Sequence, residues 1–294
     1  MDNAPLVSVV IPAYNRANTI KRCIDSILAQ TYENLEIIVV DDCSQDGTYE
    51  AVRAMDSEKI RCFRLARNLG ACIARNTGVE NARGGIVAFQ DSDDSWRPDK
   101  LERQVAFMLD GGYDFVYCGL NRINEKTGES KTVGLRQPFA EYQKDLWSRL
   151  IEGNWISTQT MVCRKDCFDK IGFDPDVKKF QDWDFALQAA AAGYRIGQLD
   201  EVLVDVYLQE NSITNTVVKG DHKIRVIKKH EKDIASREMA AQYYKSLADA
   251  RRHTAPAAAG LDYARSFFLM PRAKKLLLSL LCYTRLIKYY RTRE

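Results

Sequence analysis

The sequence predicts an α/β protein with a mostly parallel sheet flanked by helices, followed by a basic helical C-terminal extension. Strand-like and helix-like segments alternate over the first 120 residues, which is the pattern of consecutive βαβ units. The strand-like segments are short, continuous apolar runs, as expected for parallel strands that are buried on both faces. From about residue 221 onward, the chain is rich in basic residues and has a helical pattern.

Four strands and three helices are predicted before residue 95. The segment Val7–Ile11 is an apolar run that Pro12 ends. From Ile20 to Leu28 the apolar residues recur at helical spacing, and Asn18 or Thr19 is available as the N-cap. The predicted strands are 7–11, 36–40, 60–65 and 86–89, and the predicted helices are 20–28, 48–54 and 71–82.

The pattern is less regular after Pro98. The polar, glycine-bearing stretch 124–140 predicts a loop. Trp183 and Leu187 begin an apolar helix face that Gly193 closes. The further predicted helices are 100–109 and 141–151, and the further predicted strands are 115–118, 158–163 and 202–206.

The composition predicts a globular protein of the cytosol. The chain has 294 residues, of which 46% are hydrophobic and 28% are charged. It contains no run of 18 apolar residues that would span a bilayer, and its N-terminus lacks the basic and apolar regions of a secretory signal. The eight cysteines form no CxxC pair, so we expect them to be reduced thiols.

Charge is distributed unevenly along the chain. Residues 1–220 carry a formal charge of −7, whereas residues 221–294 carry +10. A strongly basic tail on a mildly acidic body is typical of proteins that bind an anionic surface, either nucleic acid or anionic lipid.

Acidic residues follow two predicted strands at the point where each strand ends. Asp41 and Asp42 follow the second strand, and Asp91, Asp93 and Asp94 follow the fourth. Ligands bind beyond the carboxyl ends of parallel strands, so we expect these five carboxylates to converge on one edge of the sheet. Their mutual repulsion favours a bound cation, Mg²⁺ or Mn²⁺, which in turn would hold a diphosphate.

The alternative is that these aspartates are turn formers and helix caps. We favour this interpretation for Asp46, which precedes Gly47, but not for the acids that directly follow the fourth strand. Other sites are excluded by their absent motifs: the chain has no GxGxxG after the first strand and no P-loop. His222, His230 and His253 lie in the basic tail, where we expect solvated helix residues rather than a catalytic or zinc site.

Four ordered motifs resemble the signature of family 2 glycosyltransferases over roughly residues 5–215. The motifs are Val7–Arg16, Val39–Ser44, Asn68–Gly70 with Ala74–Asn76, and Asp91–Asp94. The resemblance implies a GT-A fold, Rossmann-like, and an inverting transfer from a nucleotide-diphosphate sugar. It also implies a catalytic domain over residues 1–220, with a nucleotide-binding half to about residue 95 and an acceptor half over 96–220, followed by a basic helical region over 221–294.

A fifth motif stands at residues 181–184, where the family usually has Glu-Asp followed by an aromatic residue and an acid. Gln181 replaces the glutamate here, and Asp182 matches the residue to which the family assigns the role of base. The alternative role for Asp182 is that of an N-cap on the helix that contains Trp183. We expect the substitution at Gln181 to change the hydrogen bonds and the pKa of the base more than the activity.

The resemblance implies a role for each residue of the other motifs. Tyr14 would stack on uracil, and Asp42 would accept from its N3–H group. Asp93, helped by Asp94, would bind the Mn²⁺ or Mg²⁺ ion that bridges the two phosphates. The residues expected to bind the nucleotide or the sugar are Pro12, Tyr14, Asp42, Arg75, Asn76 and Asp91.

Residues 271–293 contain seven basic residues and no acids, interleaved with leucines. We expect this segment to lie on anionic lipid, so that the protein is peripheral on the inner face of the membrane; the alternative is a helix packed on the catalytic body. Nucleic acid is not expected as a partner, because no recognition module accompanies the charge. The acceptor would be a lipid-linked or polysaccharide intermediate of surface glycan synthesis.

The processive members of the family carry transmembrane helices and a QxxRW motif, and this sequence has neither. We therefore expect one sugar to be added per encounter. Two other hypotheses about function remain. One is a nucleotidyltransferase, which would need a glycine-rich loop after the first strand that this sequence lacks. The other is a catalytically silent protein that binds a nucleotide sugar.

Overall fold

A nine-stranded mixed sheet with helices on both faces forms the body of the protein, as a computed structural model describes it for residues 4–134, 146–208, 219–236, 239–269 and 273–283. The strands are β1 Val7–Ala13, β2 Leu35–Asp41, β3 Ile60–Arg64, β4 Ile86–Phe89, β5 Ser95–Trp96, β6 Phe115–Asn124, β7 Ser130–Val133, β8 Val162–Arg164 and β9 Ile196–Leu208. The α/β class predicted from the sequence is confirmed.

The helices of the body and of the C-terminal region follow one another in the chain as eleven described α-helices. They are α1 Ile20–Leu28, α2 Thr48–Arg53, α3 Ala71–Glu80, α4 Lys100–Gly111, α5 Leu146–Glu152, α6 Gln181–Ala191, α7 Lys219–Lys229, α8 Glu231–Ser236, α9 Ala240–Arg251, α10 Pro256–Leu269 and α11 Ala273–Tyr283.

The sheet is parallel in its first half and mixed in its second. The strand order is β3-β2-β1-β4-β8-β6-β9-β5, with β7 paired to β6. Strands β3, β2, β1 and β4 run parallel. Strand β8 is antiparallel to both β4 and β6, whereas β6 and β9 are parallel. The carboxyl ends of β1, β2 and β4 therefore meet at one edge.

Apolar residues on the two faces of the sheet build two cores. Along β1, the side chains alternate between faces: Val9 and Ile11 pack with α1 and α4, whereas Val10 packs with α3 and α6. Val226 and Ile227 of α7 belong to the same core as Val10. The first part of the basic C-terminal region thus packs on the body.

Strand β1 continues past Pro12 to Ala13, whereas the sequence predicted that Pro12 would end it. The backbone of Val10 faces β4, because its carbonyl accepts from Gln90 N–H, and Pro12 faces the same side. Strand β4 ends at Phe89, opposite Val10. The missing N–H of Pro12 therefore costs no ladder hydrogen bond.

Two further predictions for the chain after Pro98 are wrong. Residues 130–133 form a strand that pairs with β6, because a turn with Gly128 at φ +71° reverses the chain where a loop was expected. Thr158–Thr160 is a 3₁₀-helix, and the strand begins at Val162. Ser95–Trp96, for which no prediction was made, form a short strand against β9.

The C-terminal helices α10 and α11 pack on α9 through a small core of their own, which includes Tyr263, Leu278 and Cys282. Of the predicted helix 141–151, residues 141–145 lie outside the described residues, as do most residues of the basic segment 271–293. All eight cysteines are free. Across the described ranges, we find no helix that is both long enough and apolar enough to cross a membrane.

Candidate active site

The loops that follow β1 and β2 brace each other at the carboxyl edge of the sheet. The backbone N–H groups of Asn15 and Arg16 donate to Ser44 Oγ and Thr48 Oγ1 at 2.9 and 2.7 Å. Ala17 N–H donates to Asp46 Oδ2 at 3.0 Å. Asp46 therefore has the turn role that the sequence predicted for it, and the two loops form a fixed rim around the end of β1.

Tyr14 lies on this rim and is 42% exposed, whereas Pro12, two residues earlier in β1, is buried. Next to Tyr14, Asn15 adopts a left-handed backbone with φ +53°, and Cys43 after β2 does the same with φ +63°. Left-handed residues other than glycine are uncommon and are enriched at functional sites. The rim thus presents an aromatic ring to solvent on a well-fixed backbone.

The two acids at the end of β2, Asp41 and Asp42, are both held by protein groups. Asp42 is buried and accepts from the backbone N–H groups of Leu69 and Gly70, at 2.7 Å each, which fixes the start of α3. Asp41 is fully buried; it accepts from Ser44 N–H and pairs with Arg64, whose Nε lies 3.3 Å from Oδ2.

Arg75 of α3 lies at the centre of the site. Its Nη2 donates to Asp91 Oδ1 at 2.8 Å, and its Nη1 donates to Gln181 Oε1 at 2.8 Å. Its guanidinium also lies over the ring of Phe173, 5.3 Å from the ring centre. Because the side chain is buried, this arginine rigidly joins the turn after β4 to the start of α6.

Asp93 lies in the turn after β4, and its side chain is partly exposed. Its Oδ2 lies 3.5 Å from Arg16 Nη2, and its carbonyl accepts from Arg22 Nη2 at 2.8 Å. Burial and the neighbouring Asp91 carboxylate raise the pKa of Asp93, although Arg16 and Arg22 oppose this shift. Negative charge at Asp93 is therefore incompletely balanced by the protein.

Asp94 is turned away from Asp93 into the body of the protein. Its Oδ1 accepts from Tyr207 N–H at 3.1 Å, and its Oδ2 accepts from Gln159 Nε2 at 3.0 Å. Burial, followed by the charges of Asp91 and Asp93, raises its pKa well above the ordinary value. The hydrogen bond from Tyr207 connects the turn after β4 to β9.

Asp182 lies in the first turn of α6, beyond the N-cap Phe180. The N-cap role considered for Asp182 is therefore wrong. Asn154 Nδ2 and Trp183 N–H donate to its Oδ1 at 2.9 and 2.8 Å. Burial is the largest influence on the carboxyl group and raises its pKa to about 6, although both hydrogen bonds and Arg75 oppose the shift.

Phe180 has φ +63°, a conformation that is strained for a bulky residue. This strained residue directly precedes Gln181 and Asp182, so it determines how α6 starts and where the Asp182 carboxyl group lies.

The side-chain amide of Asn76, the residue after Arg75, is hydrogen-bonded to the protein backbone. Its Nδ2 donates to Phe173 carbonyl at 2.8 Å, and its Oδ1 accepts from Phe173 N–H at 3.1 Å. This pair of hydrogen bonds positions the ring on which Arg75 lies.

Sequence reasoning missed several residues that shape the site. Arg16 lies within a quoted motif and was given no role, and Arg22 and Asn154 carried no local signal. His230 was predicted to be solvated; this is wrong, because it is buried and its Nε2 lies 2.9 Å from Asp184 Oδ1. The contact joins residues 46 positions apart, which no local pattern reveals.

The sequence model of glycosyl transferase family 2 matches residues 8–171. The chain belongs to this family. It is 32% identical over 221 residues to TuaG, a teichuronic acid biosynthesis glycosyltransferase of Bacillus subtilis, a match that covers 74% of this chain and 85% of the relative. It is 34% identical over 168 residues to the Escherichia coli enzyme WfgD, covering 57% of this chain and 64% of WfgD, whose name is UDP-Glc:alpha-D-GlcNAc-diphosphoundecaprenol beta-1,3-glucosyltransferase.

Solved structures share the fold of this glycosyltransferase at low sequence identity. Residues 1–349 of S. aureus TarS, in complex with UDP-GlcNAc, superpose with a TM-score of 0.68 at 19% identity, covering 98% of this chain and 93% of the other. The mannosyltransferase PcManGT of Pyrobaculum calidifontis, in complex with GDP-Man and Mn²⁺, gives a TM-score of 0.62 at 20% identity, covering 100% and 89%. The GT-A fold and the glycosyltransferase class inferred from the sequence are confirmed.

GT-A glycosyltransferases commonly use a divalent metal ion, and the residues at the turn after β4 fit one. In the described part of the chain, no three His, Cys, Asp or Glu side chains are arranged to hold an ion. The acids after β4 and those at the end of β2 thus follow strands that end at the same edge of the sheet, but they are not gathered around a single ion position. However, Mg²⁺-type ions in nucleotide sites take one or two carboxylates, with the phosphates and water completing the shell. The incompletely balanced charge of Asp93 beside Asp91 suits that arrangement.

Proposed function

We propose that this glycosyltransferase moves a sugar from a UDP-sugar to an acceptor hydroxyl, with inversion at the anomeric carbon and one sugar added per encounter. The acceptor is a lipid-linked or polysaccharide intermediate of surface glycan synthesis. One observation carries the proposal: Arg75 contacts both Asp91 and Gln181, so the turn that would hold the donor diphosphate is rigidly coupled to the residue before Asp182.

The nucleoside would bind on the rim after β1. The exposed ring of Tyr14 offers a stacking surface, Pro12 would line the same pocket, and one oxygen of Asp42 would accept from the uracil N3–H in addition to its backbone donor. UDP is favoured because WfgD and the TarS complex are both named for UDP-linked donors.

Asp93, with Asp91 beside it, would bind Mn²⁺ or Mg²⁺. When bound, such an ion stabilises the negative charge that develops on the leaving diphosphate. Arg75 would orient Asp91 and remain near the donor sugar, while Arg22 holds the carbonyl of Asp93. Asp94 and Asn76, whose polar atoms are occupied by the protein, would support the site from outside the ligand.

Asp182 would act as the base. The acceptor hydroxyl attacks the anomeric carbon from the face opposite the diphosphate, the C–O bond to the diphosphate breaks, and the hydroxyl proton passes to a carboxylate oxygen of Asp182. General-base assistance of this kind contributes roughly 10²–10⁴-fold to the rate. A pKa of about 6 leaves Asp182 ionised at neutral pH while keeping it basic enough to accept the proton.

The acceptor assignment is supported by the named relatives. WfgD is named for a diphosphoundecaprenol acceptor, and TuaG for teichuronic acid biosynthesis. An acceptor on a lipid carrier requires the enzyme to reach a membrane surface.

The outer faces of α10 and α11 offer such a surface. Phe268 is 81% exposed, and Leu269, Leu276 and Leu277 are also exposed. On α11 the exposed leucines lie opposite a buried face that includes Lys275 and Ser279. An apolar outer face within the acid-free basic segment 271–293 is complementary to anionic lipid.

Binding and product analysis test the transferase proposal. Calorimetry should detect UDP binding that strengthens with Mn²⁺, and NMR of the product should give the anomeric configuration opposite to that of the donor. Asp93→Asn should abolish the Mn²⁺ dependence, whereas Asp56→Asn, at an exposed acid, should not. The silent, sugar-nucleotide-binding alternative predicts UDP binding with no turnover on any donor and acceptor pair. A retained configuration would overturn the inverting mechanism.

Vesicle co-sedimentation tests the membrane surface separately. The protein should bind phosphatidylcholine vesicles that contain phosphatidylglycerol and should not bind phosphatidylcholine alone. The double variant Leu276→Ser, Leu277→Ser should lose binding, whereas Leu109→Ser, at an equally exposed leucine on α4, should retain it. Equal binding by both variants would overturn this assignment.

A further inference from the structure

Asp184, the second acid of the segment 181–184, is buried and receives three side chains. His230 Nε2 lies 2.9 Å from its Oδ1, and Lys229 Nζ and Gln188 Nε2 donate to its Oδ2 at 2.8 Å each. A buried carboxylate is costly unless it is paired and hydrogen-bonded, and here both oxygens are satisfied. Two of the three partners come from the end of α7 and the residue after it, in the C-terminal helical region.

Lys229 holds a second point in the same segment. Its Nζ also donates to Asp174 Oδ2 at 2.6 Å. The lysine therefore joins both ends of residues 174–184, and this stretch contains both the strained Phe180 and Asp182 in the first turn of α6. A strained backbone persists where the surrounding structure over-determines it. The contacts from Lys229 and His230 supply that constraint.

We propose that Asp184, Lys229 and His230 form a positioning clamp that holds the first turn of α6 so that the Asp182 carboxyl group faces the acceptor. The C-terminal helical region is thereby part of the catalytic apparatus, although it lies beyond the residues matched to the family, 8–171. The inference rests on the proposed role of Asp182 as base. None of the three residues contacts Asp182 through a described hydrogen bond, so they act through the backbone of α6.

Kinetics of the full-length chain test the clamp. His230→Ala and Lys229→Met should lower kcat about 10- to 100-fold, because a misplacement of a reacting group by about 1 Å costs that much. The donor KM and the affinity for UDP with Mn²⁺ should change less than about threefold, because the rim after β1 and Asp93 are also held by contacts with Ser44, Thr48, Arg16 and Arg22 that do not involve α6. His230→Gln, which keeps a donor, should recover part of the activity. Lys228→Met, at the exposed neighbouring lysine, is the matched control and should behave as the parent protein.

A second comparison separates positioning from stability. In an Asp182→Asn background, His230→Ala should cause no further loss of kcat, because its effect runs through Asp182. All assays are made at temperatures where melting curves show each variant to be folded. A further loss in that background, or a parallel loss of UDP affinity, would overturn the clamp. If Asp182→Asn itself keeps full activity, the proposed base fails; if it is inactive while His230→Ala and Lys229→Met keep the parent kcat, the clamp alone fails.

Discussion

Arg75 and Asp91 form a partly buried ion pair with 2.8 Å between Nη2 and Oδ1. The same guanidinium donates to Gln181 at the start of α6. The pair therefore connects two elements that are more than 80 residues apart in the chain, and it is the contact on which the proposed catalytic geometry depends.

Arg75→Lys should separate the charge of the arginine from its ability to contact Asp91 and Gln181 at the same time. A lysine carries the charge, but its single ammonium group does not reproduce the planar fork that reaches two partners in fixed directions. We expect kcat/KM to fall about 10- to 100-fold, a loss of about 1.4–2.7 kcal/mol of transition-state stabilisation. Arg67→Lys, at an exposed arginine, is the control and should leave the steady-state kinetics unchanged. Equal activities of the two variants would contradict the bridging role.

The pH profile should report Asp182 directly. Because its pKa is raised to about 6 and the base must be ionised, kcat/KM should be level above pH 7 and fall about tenfold per pH unit well below 6. The rates are measured with the donor well below its KM, so that kcat/KM reports the ionisation of the free enzyme. A level profile down to pH 5 in the folded protein would argue against Asp182 as the base.

Gln181→Glu should move that profile. A carboxylate next to Asp182 would bind Arg75 more tightly and, as a like charge, would disfavour ionisation of Asp182. We expect the acid limb of kcat/KM to shift to higher pH by about one unit. A shift to lower pH would mean that Arg75, rather than the new carboxylate, controls the pKa of Asp182.

Asp93→Asn should stabilise the metal-free protein while it abolishes the response to Mn²⁺. The raised pKa of Asp93 means that its ionised form is less favourable in the folded protein than in the unfolded chain. The ionised Asp93 carboxylate therefore lowers the free energy of unfolding, increasingly as the pH rises from the pKa of the unfolded chain to the higher pKa of the folded protein. A neutral asparagine removes this penalty. At pH 7 without metal, we expect Tm to rise by about 2 °C, with no further rise on adding Mn²⁺. A lower Tm in the variant would show that Arg16 outweighs the repulsion from Asp91.

Helix α3 should tolerate no side chain at Gly78. A Cβ atom there would overlap the buried side chain of Val10 in β1, whereas a Cβ at Gly85 meets nothing within 4 Å. Because α3 carries Arg75, overpacking would disturb the site as well as the core. Gly78→Ala should lower the free energy of unfolding by about 1–3 kcal/mol in urea titrations, and Gly85→Ala should change it little.

Among the strands, the sequence predicted best the one whose residues are all apolar. Strand β4 is found at Ile86–Phe89 as predicted, because every residue in it is buried. The strand predicted at 202–206 is shorter than β9, which has thirteen residues, because several of the residues on either side of the predicted segment are polar. Strand β7 pairs only with β6 and is mostly exposed, so it has no apolar signal.

For the site, motifs indicated which residues gather at the sheet edge but not how their hydrogen bonds are used. Asp91 and Asp94 look equivalent in the sequence, yet Asp91 meets Arg75 in the cleft and Asp94 is committed to Tyr207 and Gln159. The burial of His230 depends on Asp184, a partner set by tertiary packing. These hydrogen-bond partners are set by the tertiary structure, so a local sequence pattern does not reveal them.

The most direct test of the proposed chemistry is the single-turnover rate of Asp182→Asn with UDP-sugar, Mn²⁺ and acceptor at saturation. Asparagine preserves the shape of the side chain but accepts no proton, so we expect the rate to fall at least 10²-fold while UDP binds as in the parent protein. Asp176→Asn, at an exposed acid of the same segment, should keep the parent rate. A rate for Asp182→Asn within threefold of the parent would contradict the account.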